Sequence, residues 1–92
     1  MRTVAAKRDA NEPAIIQALK DIGATVQPLS ARGVPDLLVG FRGQTYLIEV
    51  KTPKGALTED QIIWHAWWSG QLSIVHTIEE VYTAIGAIVK GE

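Results

Sequence analysis

Residues 35–51, PDLLVGFRGQTYLIEVK, constrain the fold more than any other stretch of the chain. Two apolar, β-like runs are separated only by Arg42-Gly43. So short a connection closes an antiparallel hairpin. The expected strands are residues 35–41 and 44–51. Alternation along the second strand puts Leu47, Glu49 and Lys51 on one face, with Tyr46, Ile48 and Val50 on the other. Closing the hairpin at 42–43 brings the start of the first strand beside the end of the second. Asp36 therefore falls near Glu49 and Lys51. Three ionisable groups gather at one edge of an otherwise apolar hairpin, where charges are expensive.

The flanking segments supply the rest of a layered fold. A helix is expected from about Asn11 to Ile22, with Ile15, Ala18, Leu19 and Ile22 forming one apolar stripe. Asp9 or Asn11 caps it, Pro13 sits in its first turn, and Gly23 closes it. A short strand spans about Ala24 to Leu29, followed by a loop over 30–34. After a Pro/Gly loop over 52–57, Thr58 opens a second helix that ends near Gly70. Thr58 and Gln61 make a capping box. A last strand, about Leu72 to Thr77, follows a helical crossover, which implies parallel pairing. A third helix runs from Ile78 or Glu79 to Lys90, with Val81, Ala84, Ile85 and Ile88 as its stripe. The expected fold class is α/β: an αβββαβ core whose mixed sheet of about four strands is flanked by helices. At 92 residues the chain forms one domain, 1–92.

Composition removes several function classes. The sequence has no cysteine, which excludes disulfides, cysteine nucleophiles and cysteine-based metal sites. It has no apolar run near the roughly 20 residues that span a bilayer, and no apolar leader-like segment near its start. A cytoplasmic protein is the expectation. The net charge of -1 argues against a strong non-specific nucleic-acid binder. The serines have no triad partners, and His65 and His76 read as surface or packing residues.

The charged cluster points to chemistry. Two adjacent carboxylates repel unless a cation lies between them or one takes a proton. Oxygen ligands suit Mg²⁺ or Mn²⁺. A lysine beside them can stabilise developing negative charge or help activate a water. That equipment fits phosphodiester hydrolysis. Gly33-Val34-Pro35-Asp36 followed by Glu49-Val50-Lys51 resembles the PD-(D/E)XK nuclease signature. GVPDLLVG, then IEVKTPKGALTEDQ, then a glycine before an apolar strand, resembles the virus-type replication-repair nuclease (VRR-NUC) domain, in its stand-alone phage and bacterial form. The resemblance covers about residues 12 to 85. It implies the restriction-endonuclease-like fold and metal-dependent DNA cleavage. On matching positions it implies that Asp36 and Glu49 are metal ligands, with the Val50 backbone carbonyl as a further contact. Lys51 is then the catalytic lysine, Gln61 the glutamine near the site, and Glu12 the first-helix acid, a further metal ligand. The stand-alone members resemble dimeric junction-resolving enzymes in layout, so the implied substrate is branched DNA such as a four-way junction, cut by a homodimer.

Each residue also has a simpler reading. Asp36 suits a Pro turn. Glu49 and Lys51 make an ordinary ion pair, Glu12 a helix-dipole acid, and Gln61 a capping residue. Joint placement favours the site over these separate explanations. A flap- or end-processing nuclease, and a non-catalytic nucleic-acid-binding subunit of the same fold, are the alternatives. In the tryptophan-rich helix, Ile63, Ala66 and Trp67 are expected to face the core, which leaves Trp64 and Trp68 as a homodimer contact. Arg32, Arg42, Lys54, Lys7 and Arg8 are the expected contacts to the DNA backbone.

Overall fold

A computed structural model describes residues 9–87. Its elements run α1 (Glu12–Asp21), β1 (Thr25–Pro28), β2 (Leu37–Phe41), β3 (Gln44–Val50), α2 (Glu59–Trp67), β4 (Ser73–Val75) and α3 (Ile78–Ala84). The four strands form one mixed sheet in the order β1-β2-β3-β4. β1, β2 and β3 pair antiparallel, and β4 joins β3 in parallel. The expected element order and pairing are both present. Lys7, Arg8, Ile88 and Lys90 lie outside the described residues. No described helix is long and apolar enough to cross a membrane.

The hairpin forms because its turn can reach the required backbone conformation. Arg42 and Gly43 both have positive φ, 52° and 79°, which is the geometry that matches the twist of the flanking strands. The Arg42 guanidinium lies over the Phe41 ring, 4.8 Å from its centroid, which offsets part of the strain of a non-glycine residue there.

One sheet face is the core. Leu37, Val39 and Phe41 of β2, Ile48 and Val50 of β3, and Val75 of β4 meet Ile15 and Leu19 of α1, Val81 of α3 and Ile85 just after it. The stripe expected on α1 faces this layer, as do Val81, Ala84 and Ile85 of the expected third stripe, although α3 ends at Ala84 rather than continuing toward Lys90. α1 stops as its Gly23 suggests: Gly23 has φ 90°, its N–H donates to the Lys20 carbonyl, and the Ala24 N–H donates to the Leu19 carbonyl.

The start of α1 is tied to the strand ends by an unusual use of its cap. Asn11 precedes the helix, yet its side chain caps nothing. Its Nδ2 instead donates to the Lys51 and His76 carbonyls, at 3.1 and 2.9 Å. These carbonyls follow β3 and β4 directly. One amide therefore fixes α1 against the end of the sheet where the charged residues collect.

The second face is covered differently. α2 buries no residue fully. Its half-buried side chains are Gln61, Trp64, His65 and Trp68, which fall on one stripe. Ile63, Ala66 and Trp67 are exposed, Trp67 to 72%. This reverses the expected orientation. The stripe that was apolar enough to suit the core faces outward, because the inward stripe is the one that carries Gln61 and His65 to a polar site. Trp64 and Trp68 stack on each other, 5.0 Å between centroids, and the Trp68 Nε1 donates to the Gln71 carbonyl.

Asn11→Ala removes two hydrogen bonds between elements and is expected to destabilise the protein by about 1–2 kcal/mol, a fall of roughly 5–10 °C in Tm for a domain of this size. A thermal melt checks it; an unchanged Tm would show that α1 is held by its apolar stripe alone.

Candidate active site

The hairpin register explains how Asp36 and Glu49 meet. The last paired residues are Leu37 and Ile48. One step further along the same ladder, Asp36 lies across from Glu49. Here the strands part. The Asp36 carbonyl accepts from the Leu29 N–H at 2.7 Å, while its side-chain Oδ2 accepts from the Val50 N–H at 2.8 Å. Asp36 thus bridges its two neighbours, by main chain on one side and carboxylate on the other. The cluster read from the sequence is present at the open end of the hairpin.

Glu49 is completely buried. Its Oε2 accepts from Gln61 Nε2 at 2.9 Å, and Lys51 Nζ stands 3.9 Å from the same oxygen. Burial, first, and then the Asp36 carboxyl beside it push the Glu49 pKa up from 4.5 to about 8. Hydrogen bonding with Asp36 adds to the rise, Asp9 contributes a further repulsion, and Lys51 opposes it. The like-charge pair is therefore under the electrostatic pressure expected of two carboxylates without a cation between them.

Gln61 satisfies both of its readings at once. Its backbone N–H donates to Thr58 Oγ1 at 3.2 Å, and its Oε1 accepts from the Thr58 N–H at 2.9 Å, completing the capping box. Its Nε2 is then free to donate to Glu49. The cap anchors the side chain that reaches the site. Gly33 helps set the position of α2: a Cβ there would stand 2.8 Å from the Asp60 carbonyl oxygen, and its φ of 80° already disfavours other residues.

These groups line a cleft of about 410 Å³ that includes Asp36, Glu49, Val50, Lys51 and Gln61. Arg32 is on its wall, 86% exposed along its side chain and 3.4 Å from Asp60 Oδ2. The other expected residues are placed less uniformly. Glu12 is buried at the start of α1 but does not line this cleft; Asp9 does. Lys54 is exposed in the loop after β3. Arg42 sits at the hairpin turn, the far end of the hairpin from Asp36 and Glu49, and does not line the cleft.

Two participants were not read from the sequence. Asp9 is one. His65 is the other: its Nε2 is 3.6 Å from Glu49 Oε1, and its side chain is 11% exposed. Burial, and next the Lys51 charge, lower its pKa below 6.5. Its spacing of four residues from Gln61 was the available signal, since i and i+4 share a helix face.

The donor set fits a hard divalent cation in kind. Two carboxylates and a backbone carbonyl offer oxygen only, and Glu49 Oε1 is buried without a hydrogen-bond partner. Among the described residues no three His, Cys, Asp or Glu side chains cluster as a metal cage. An ion here would complete its shell from main chain, water or substrate. No family model, curated protein or solved structure matches the chain.

The raised Glu49 pKa has a consequence for stability. Between its unfolded value and about 8 the folded, metal-free protein holds a proton that the unfolded chain releases, so stability falls as pH rises. His65 acts in the opposite sense, but only below its ordinary value of 6.5. From pH 6.5 to 8 the protein is expected to lose roughly 1–2 kcal/mol in the presence of a chelator. Urea titrations across that range measure the slope. Glu49→Gln should flatten it, and an equal slope in that variant would assign the titration to another group.

Proposed function

We propose that this chain is a metal-dependent DNA endonuclease of the VRR-NUC type, hydrolysing phosphodiester bonds, and that it acts as a homodimer on branched DNA such as a four-way junction. The observation that carries the reading is the meeting of Asp36, Glu49, Lys51 and Gln61 in one cleft. Neither a Pro turn, a surface ion pair nor a helix cap, taken separately, accounts for all four reaching the same place.

Asp36 and Glu49, with the Val50 carbonyl, would hold Mg²⁺ or Mn²⁺. Such an ion, when bound, polarises a phosphoryl oxygen and lowers the pKa of a coordinated water. The protein's own groups do the rest. Lys51 is 8% exposed, so its ammonium acts with little screening by water. It can stabilise the negative charge that builds on the phosphorane oxygens. Gln61 holds one oxygen of Glu49 and so restricts the carboxylate's rotation. Arg32, at the exposed wall, is placed to meet a neighbouring phosphate. The overall charge of -1 leaves little general attraction for DNA. Recognition then depends on a few positioned cations and on a second copy.

The outward row of α2 supports the homodimer. Ile62, Ile63 and Trp67 are all more than half exposed. Buried against a second copy, they would remove the largest exposed apolar side chains of the helix from water. The contact then runs through Trp67 and its neighbours, with Trp64 and Trp68 behind it. Trp67→Glu should give a monomer by light scattering, without loss of the folded CD spectrum; a dimer that survives it lies elsewhere.

Labelled four-way junction, flap, fork, linear duplex and single strand, each with Mg²⁺, Mn²⁺ or EDTA, test the activity. Paired, cation-dependent nicks on the junction are expected. Lys51→Ala and Asp36→Ala should each lower the rate by about 10³-fold or more. Cleavage that persists in EDTA would remove the metal mechanism. Preferred cutting of the flap would replace the junction as substrate, and binding without any cleavage would favour a non-catalytic subunit.

A further inference from the structure

His65 lies one helical turn after Gln61, and both side chains end on the same carboxylate. Gln61 Nε2 holds Glu49 Oε2 at 2.9 Å, and His65 Nε2 approaches Glu49 Oε1 at 3.6 Å. The imidazole is 11% exposed, against 1% for the carboxylate it faces. Among the described residues neither His65 Nε2 nor Glu49 Oε1 has a hydrogen-bond partner. At 3.6 Å the contact is longer than a hydrogen bond. Yet two lone pairs facing each other in a buried site would repel, and each atom would remain unsatisfied at a cost of roughly 1–3 kcal/mol. A proton between them removes both penalties after a shift of less than one ångström.

We infer that His65 is a positioning residue whose Nε2–H engages Glu49 Oε1, so that α2 grips the carboxylate from two successive turns through Gln61 and His65. The cap at Thr58 fixes the first grip, and the Trp64 ring, edge-on to the imidazole at 6.3 Å between centroids and itself stacked on Trp68, packs against the second. A carboxylate held at both oxygens by one helix cannot rotate independently of it. This rests on the reading of Glu49 as a metal ligand. Partners that orient a ligand in this way typically change metal affinity by roughly 10–100-fold when removed. His65 thereby links the packing of α2 to the occupancy of the cleft.

The first test is the Mg²⁺ dependence of cleavage. In His65→Leu the Mg²⁺ concentration for half-maximal rate should rise by about 10-fold or more, with a smaller loss of rate at saturating Mg²⁺. His65→Gln, whose amide can donate from a similar position, should recover most of the shift. A Mg²⁺ dependence that is unchanged in a folded His65→Leu protein overturns the inference. The second test reads metal binding without turnover: calorimetric Mn²⁺ titration of Lys51→Ala, with and without His65→Leu, should show the same loss of affinity. The third needs no metal. The metal-free protein should show a slowly exchanging imidazole N–H proton by NMR that shifts in Glu49→Gln, and His65 imidazole resonances that are the same in a folded Glu49→Gln protein overturn the contact itself. If the wild type neither cleaves DNA nor binds Mn²⁺, the nuclease reading fails, while the NMR result still decides whether His65 holds Glu49.

Discussion

A carboxylate with no exposure to solvent sits at the C-terminal end of the central strand β3. An isolated buried charge of this kind is costly by several kcal/mol, so it must be partnered, protonated or neutralised by a cation. Much of the surrounding architecture answers that demand. Gln61 donates to one oxygen, Lys51 stands beside the same oxygen, and His65 approaches the other. Asp36 works against the arrangement by adding a second negative charge. The same acid also ties the strands together, since its carboxylate accepts from the Val50 N–H.

The two sides of the sheet divide the labour. α1 and α3 close an apolar core with Leu37, Val39, Ile48, Val50 and Val75. That layer gives the hairpin a rigid base. α2 contributes no fully buried side chain and does not build this core. It is held instead by its capping box, by the contact of its first turn with Gly33, and by its polar stripe on the site. Its position and the state of the carboxylate are therefore coupled more closely than a core helix would allow.

Several features were legible because they depend on local rules. Arg42-Gly43 required a tight turn, Gly23 a helix end, and Thr58 with Gln61 a capping box, and each is present. Alternation assigned Glu49 and Lys51 to the face opposite Ile48 and Val50, and the register brought Asp36 across from Glu49. What failed was the orientation of α2. Hydrophobicity alone placed Ile63 and Trp67 inward, but Trp67 is largely exposed. The helix has apolar residues on more than one face, so its amphipathic pattern could not choose between them. The polar partners on β3 made the choice, and they belong to a different part of the chain. Asn11 was similarly ambiguous, since nothing local distinguishes a cap from an amide that binds carbonyls 40 and 65 residues away.

The sequence by itself determined the elements, their order, the hairpin and the grouping of Asp36, Glu49 and Lys51, because turn chemistry, alternation and pairing act over a few residues. Only the tertiary structure decided which face of α2 meets the sheet, that Asp9 lines the cleft while Glu12 does not, and that His65 faces Glu49. Those are outcomes of how separate elements dock. Docking is settled by the sum of burial and polar satisfaction across the whole molecule, which no short window of sequence contains.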